Sequence, residues 1–188
     1  MIRDALKVIE AKACKHLKTK RAGSSEALLK LCPVVDETGR VAIPLNTIGM
    51  SMVNVEQERV TNGGVRTMRV DNKVSYKPAD LRLYVDVLFT ANFAKNNYED
   101  GLSILSDIII FFQENSVFTR NNTPNLPAGQ DRLIMSLSCL TMDQQFHFWS
   151  VFGGNYLPSV IYKLSLVQFS SATTMREGVT PGAMDTGN

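Results

Sequence analysis

The sequence has little excess of either charge: 20 Lys and Arg against 18 Asp and Glu leave a formal net charge of +2 over 188 residues. That balance excludes a histone-like or tail-like polyelectrolyte and gives no global reason to expect nucleic acid as a partner. Cysteine is scarce. Cys14, Cys32 and Cys139 form an odd, widely spaced set with no C-x-x-C pair, which excludes a disulfide framework and points to a reducing compartment. Long hydrophobic runs are missing too. No apolar core of a signal peptide opens the chain, and the longest uncharged run, residues 144–162, contains Gln145, His147, Gly153, Gly154, Asn155 and Pro158. No bilayer-spanning helix carries that set together, so neither secretion by signal peptide nor membrane insertion is expected. The two histidines, His16 and His147, sit in no metal-ligand spacing such as H-E-x-x-H. Twelve glycines and seven prolines are near average usage, which leaves an ordinary folded chain of one domain with appendages.

What charge there is lies unevenly. Residues 1–21 carry Arg3, Lys7, Lys12, Lys15, Lys18, Lys20 and Arg21 against Asp4 and Glu10, a net +5, so the remainder sums to −3. Within that basic pole Ile2, Ala5, Leu6, Ile9, Ala13 and Leu17 recur at helical spacing, which predicts an amphipathic helix over residues 2–18. A short hairpin or loop is expected at Val34-Val35 and residues 41–43, held to an edge by Pro33 and Pro44. Residues 48–60 and 65–76 read as two strands of a hairpin around Asn62-Gly63. Residues 81–91 alternate with period two, the pattern of a strand with one face on a core.

A second helix is expected over 97–114, opened by Asn97, Glu99 and Asp100. It is apolar around most of its circumference and so needs covering on more than one side. Residues 119–131 form a long loop of the kind that is often functional, and 132–140 alternate again as a strand. Thr141 and Gln144 make a capping box that launches a short helix ended by Gly153-Gly154, and residues 160–169 read as a last strand. The order predicts an α/β (α+β) domain over residues 1–170, a largely antiparallel or mixed sheet flanked by helices, with a flexible or partner-ordered tail over 171–188.

Chemistry-bearing constellations are hard to find. His147 lies in an aromatic helix and is better read as packed or half-exposed than catalytic, and the cysteines as small core side chains. Gly63-Gly64 and Gly153-Gly154 lack the strand-glycine-helix context of a phosphate loop. Asp80, Asp86, Asp100 and Asp107 could pair, but solvated or capping roles are the default. No catalytic, cofactor or metal residue is assigned and no cofactor is expected. The basic helix admits an anionic partner or a lipid surface, yet its apolar face has no Trp or Phe and the aromatics that single-stranded nucleic acid needs are missing, so a plain surface helix is favoured.

The C-terminal half supplies a different kind of signal. Leu83-Tyr84-Val85-Asp86-Val87-Leu88-Phe89-Thr90-Ala91-Asn92-Phe93, Tyr98, residues 111–119 and Asn122-Thr123-Pro124 with Leu126-Pro127 form one set of motifs. Trp149-Ser150-Val151-Phe152-Gly153-Gly154-Asn155-Tyr156-Leu157-Pro158 and residues 159–163 complete it. Together they resemble the cap, or tail-terminator, proteins of phage-tail-like contractile injection systems of the antifeeding-prophage and virulence-cassette type. The resemblance covers about residues 80–169 and, more loosely, 1–60. It implies a tail-terminator-like fold and a non-enzymatic structural protein. Such a protein forms a hexameric ring on the last layer of inner tube and sheath, ends their growth and couples them at the distal end.

The implied setting is assembly in the bacterial cytoplasm into a particle that is released or membrane-anchored. An adaptor or baseplate role in the same particle is the alternative, and a small-metabolite enzyme a more distant one. A sheath built by exchanging strands ends in unsatisfied strand edges, which a terminator must pair without offering a new edge of its own. Residues 160–169 are the expected exchange strand, with Val160, Tyr162, Leu164, Leu166 and Phe169 as partner-binding residues. The 97–114 helix or the 119–131 loop is expected to contribute the ring contact. Most of Phe111, Phe112, Trp149 and Tyr162 are better read as core residues that define the fold, since large aromatics at helix and strand period usually pack inside.

Overall fold

The computed structural model describes residues 1–21, 28–58, 66–70, 73–77, 81–154, 156–168 and 176–179. The elements are α1 (Ile2–Lys20), β1 (Leu29–Leu31), β2 (Thr47–Gln57), β3 (Arg66–Val70), β4 (Lys73–Lys77), β5 (Leu81–Asn92), α2 (Tyr98–Glu114), β6 (Val117–Thr119), β7 (Arg132–Ser138), α3 (Met142–Val151), β8 (Ser159–Gln168) and β9 (Arg176–Val179). The main sheet has six strands in the order β1-β2-β5-β8-β7-β6. Every neighbouring pair in it is antiparallel except β1 with β2. A mixed, largely antiparallel sheet flanked by helices is what the sequence predicts.

Period-two alternation sorts the sheet residues onto two faces. Val85, Val87, Phe89 and Ala91 of β5 meet Ile48 and Met50 of β2, Leu164 and Leu166 of β8 and Leu133 and Met135 of β7 in one core. This core is covered by Ala5, Leu6, Ile9, Ala13 and Leu17 of α1 and by Ile104, Leu105, Ile108, Phe111 and Phe112 of α2. The helical stripe read from the sequence is thus the buried stripe of α1. On the other face Leu88 packs with Val34 and Trp149 in a smaller cluster that Phe148, Phe152 and Ile161 flank. The sheet is therefore sandwiched, with α1 and α2 on one side and α3 on the other.

The expected 48–60/65–76 hairpin is corrected. β2 pairs with β5 from Thr47↔Asn92 to Gln57↔Leu83, with a register shift between Met52 and Asn54. β3 instead pairs with β4, and β4 with β9, in a separate three-stranded sheet. β5 offers β2 a far longer partner of matching apolar alternation, and burial of Ile48 and Met50 beneath the helices follows only from that register. The Asn62-Gly63 turn lies outside the described residues. So does most of the 171–188 segment, of which Arg176–Val179 is β9.

Local capping follows the sequence at α3, where the Gln144 N–H donates to Thr141 Oγ1 (3.3 Å) and the Thr141 N–H to Gln144 Oε1 (3.0 Å). Gly153 and Gly154 end this helix at φ +79° and +73°, a region glycine enters without strain. Asn97 does not cap α2: its side-chain amide donates to Asn46 Oδ1 (3.4 Å) instead. Residues 34–43 form a loop with a single Val35↔Val41 bridge rather than a full hairpin.

Candidate functional site

β8 lies inside the main sheet, paired with β5 from Leu81↔Gln168 to Thr90↔Ser159 and with β7 from Leu133↔Leu166 to Ser138↔Ile161. Tyr162, Leu164 and Leu166 are 3%, 0% and 1% exposed, and Val160 is partly buried against the same core. Phe169 lies outside the described residues. The Tyr162 ring sits 4.8 Å from that of Phe112 and edge-on to Phe89 at 5.8 Å, and burial pushes its phenol above the ordinary tyrosine range. As an exchange strand β8 needs a free edge, and here both of its edges are taken by neighbours in the same sheet. The structure brings the expected partner-binding side chains together as core, the alternative reading of Tyr162.

The true edges of the main sheet are β1 and β6, and both are closed by side chains. At β1 the Leu31 N–H donates to Glu10 Oε1 (2.7 Å), and the Cys14 thiol to the Leu29 carbonyl (3.4 Å), so α1 covers the outward row. At β6 the Asn122 amide imitates a neighbouring strand. Its Nδ2 donates to the Val117 carbonyl (2.9 Å), its Oδ1 accepts from the Thr119 N–H (2.8 Å), and the Thr123 N–H bonds the Thr119 carbonyl (2.8 Å). Lys12 Nζ bonds the Asn122 carbonyl and ties this corner to α1. Sequence reasoning found the 119–131 loop but not this role, since a side chain three residues past a strand returning to its edge depends on the turn geometry. In the small sheet, β3 and β9 each have one edge without a strand partner among the described residues.

The open part of the α3-side face carries a cross-strand polar cluster. Lys163 Nζ lies 3.4 Å from Glu56, 3.8 Å from Asp86 and 5.4 Å above the Tyr84 ring centroid. The Tyr84 hydroxyl donates to Glu58 (2.9 Å), which raises its pKa, and Arg82 reaches the same carboxylate at 3.6 Å. Opposite charges placed across neighbouring strands support the register without building a reactive group. The period-two spacing of Arg82, Tyr84 and Asp86 was the available signal for it.

The carboxylates weighed as possible pairs are dispersed. Asp107 is held by Lys20 (2.7 Å) and Arg21 (2.9 Å), Asp86 by Asn54 (3.2 Å) and Lys163, and Asp100 is exposed, while Asp80 lies outside the described residues. His147 is 72% exposed and 3.6 Å from Asp143, and His16 packs 5.0 Å from the Phe111 ring. Burial raises the Cys14 and Cys32 thiols above their ordinary pKa, which keeps them protonated rather than nucleophilic. Among the described residues no three His, Cys, Asp or Glu side chains converge on a metal position, and no described helix is long and apolar enough to cross a membrane.

The same architecture occurs in solved assemblies. The sheath/tube terminator of PVC, an extracellular contractile injection system, in its extended state superimposes with a TM-score of 0.66 at 11% identity, over 100% of this chain. The tube-terminating cap of the anti-feeding prophage does so with a TM-score of 0.59 at 11% identity, over 96% of this chain. This chain spans 63% and 60% of those two proteins. No curated protein matches the sequence. A family model described as the Pvc16 N-terminal domain matches residues 21–180. With a match over most of its length and a fold shared with two terminating proteins, the chain belongs to the Pvc16 N-terminal domain family.

Proposed function

We propose that this chain is a structural terminator of a contractile injection particle, ending the inner tube and sheath at the distal end and coupling them as a hexameric ring. The observation that carries this reading is the closure of both main-sheet edges by Glu10, Cys14 and Asn122. A main sheet with open edges would template the next layer, whereas a closed one accepts a stack without extending it and leaves pairing with sheath to the small sheet. Membership of the Pvc16 N-terminal domain family and the terminator fold agree with it. Its role is mechanical rather than catalytic. Residues 1–170 are the capping body and 171–188 the attachment segment, and strand exchange with sheath passes to the edges of β3 and β9 that have no strand partner among the described residues, rather than to β8.

The subunit assembles in the bacterial cytoplasm and stays with a particle that is released or anchored at a membrane. Particles made without this chain are expected to carry tubes and sheaths of irregular length on intact baseplates, as read by electron microscopy. Missing or malformed baseplates would transfer the chain to an adaptor role, and a six-membered ring at the distal end of complete particles is the positive counterpart.

Asn122→Ala isolates the edge argument. Losing the two hydrogen bonds to the β6 edge and the one from Thr123 Oγ1 is expected to lower stability by only about 1–2 kcal/mol, speed amide exchange at Thr119 about tenfold and produce concentration-dependent self-association in sedimentation. A variant that stays as monodisperse as the parent would show that the edge cap has no part in termination.

A further inference from the structure

Two shallow hollows run side by side along the outer face of α1. One, of about 480 Å³, is lined by Lys7, Val8, Lys12, Lys15 and Pro124 among others. The next, of about 560 Å³, is lined by Ala11, Cys14, Lys15, Lys18 and Thr19, and the two share Ala11 and Lys15. Four lysines therefore border a groove made of two adjoining hollows along one face of α1; the loop after β6 walls the first, and α1 alone lines the second. Lys7 is paired with Glu10 (2.8 Å) and Lys12 with the Asn122 carbonyl, but Lys15 and Lys18 have no partner among the described residues. Glu10, on the same helix, is engaged with Lys7 and the Leu31 N–H.

We propose that this groove docks an acidic, extended polypeptide segment. That the segment belongs to the tube or sheath subunit rests on the terminator reading; the groove itself does not. Charge complementarity selects an anion, and the structure narrows which one. A lipid surface would need an apolar helix face to insert, but Ala5, Leu6, Ile9, Ala13 and Leu17 are buried on the sheet. Single-stranded nucleic acid would call for stacking aromatics, and none lines the groove. Val8 and Ala11 on α1, facing Pro124 across the first hollow and set between ammonium groups, suit a chain of alternating acidic and small side chains. From Lys7 to Lys18 the helix rises roughly 16 Å, which an extended strand covers in about five residues. All of α1 (Ile2–Lys20) precedes residues 21–180, which the family model matches, while the loop residues Thr123 and Pro124 fall within them.

The direct test is fluorescence anisotropy of the full chain with a fluorescein-labelled pentaglutamate peptide at low ionic strength. Lys15→Glu combined with Lys18→Glu changes two exposed side chains, so thermal unfolding stays in place while peptide affinity falls about tenfold or more. Arg40→Glu combined with Lys95→Glu alters net charge equally, at exposed positions away from the groove, and is expected to bind nearly as the parent does. No binding of the peptide, equal loss in the two double variants, or tighter binding of a short oligothymidylate or of phosphatidylserine vesicles overturns the proposal. The assay contains neither tube nor sheath, so its failure removes the groove and leaves the terminator reading to the tube-length experiment.

Discussion

Replacing Leu164 with alanine is expected to lower the unfolding free energy by about 2–5 kcal/mol, the range for leucine truncations that leave a cavity in a close-packed core. Leu164 is fully buried and lies across from Val85 on β5 and Met135 on β7, so strands on both sides limit collapse into the space. Chemical denaturation with matched slopes measures the change. The result also discriminates between the two roles this side chain was given. A partner-binding leucine on an exchanged strand would leave isolated stability within about 0.5 kcal/mol and damage only assembly. A core leucine damages the fold first. An unchanged denaturation midpoint would return β8 to the interface.

Asp107 supplies the second large effect. Burial would by itself raise its carboxyl, but hydrogen bonds and charge from Lys20 and Arg21 outweigh this and hold the pKa below its ordinary value of 3.8. The carboxylate joins the C-terminal end of α1 to the middle of α2, with Arg21 also reaching Ser103. Because the folded state gives up this proton more readily than the unfolded one, the stabilisation is present above the unfolded pKa. It is lost as pH falls below about 3.8 through the folded value. Asp107→Asn keeps the volume and removes the charge. It is expected to cost about 2 kcal/mol at neutral pH, below the usual figure for a broken buried pair because Lys20 and Arg21 remain partly solvated. It should also flatten the acid limb of the stability curve. An acid limb of unchanged steepness would assign that limb to other carboxylates.

Much of this fold was legible locally. The α1 stripe, the alternation of β5, the Thr141–Gln144 box and the Gly153-Gly154 stop each depend on residues within a few positions of one another, and each is found where its pattern puts it. Pairing was not legible in the same way. A strand such as β2 carries no label for its partner, and the nearest turn signal, Asn62-Gly63, pointed to residues 65–76 when the long register runs with β5. The place of β8 inside the sheet was illegible for a related reason. Its Val, Ile, Tyr and Leu content marks a buried strand, and an apolar strand that awaits a partner subunit looks the same as one that already has two neighbours.

By itself, then, the sequence determined the α/β class, the stripe that buries α1, the absence of a motif for chemistry and the family resemblance, all properties of residue type and short spacing. Only the tertiary structure decided which edges the sheet would expose and what would close them. Glu10 and Leu31 are 21 residues apart and Cys14 and Leu29 are 15 apart, separations that no local pattern spans, and Asn122 serves β6 only because its loop doubles back. The unequal charge along the chain became a surface by the same route: packing α1 by its apolar face leaves its lysines no direction but outward.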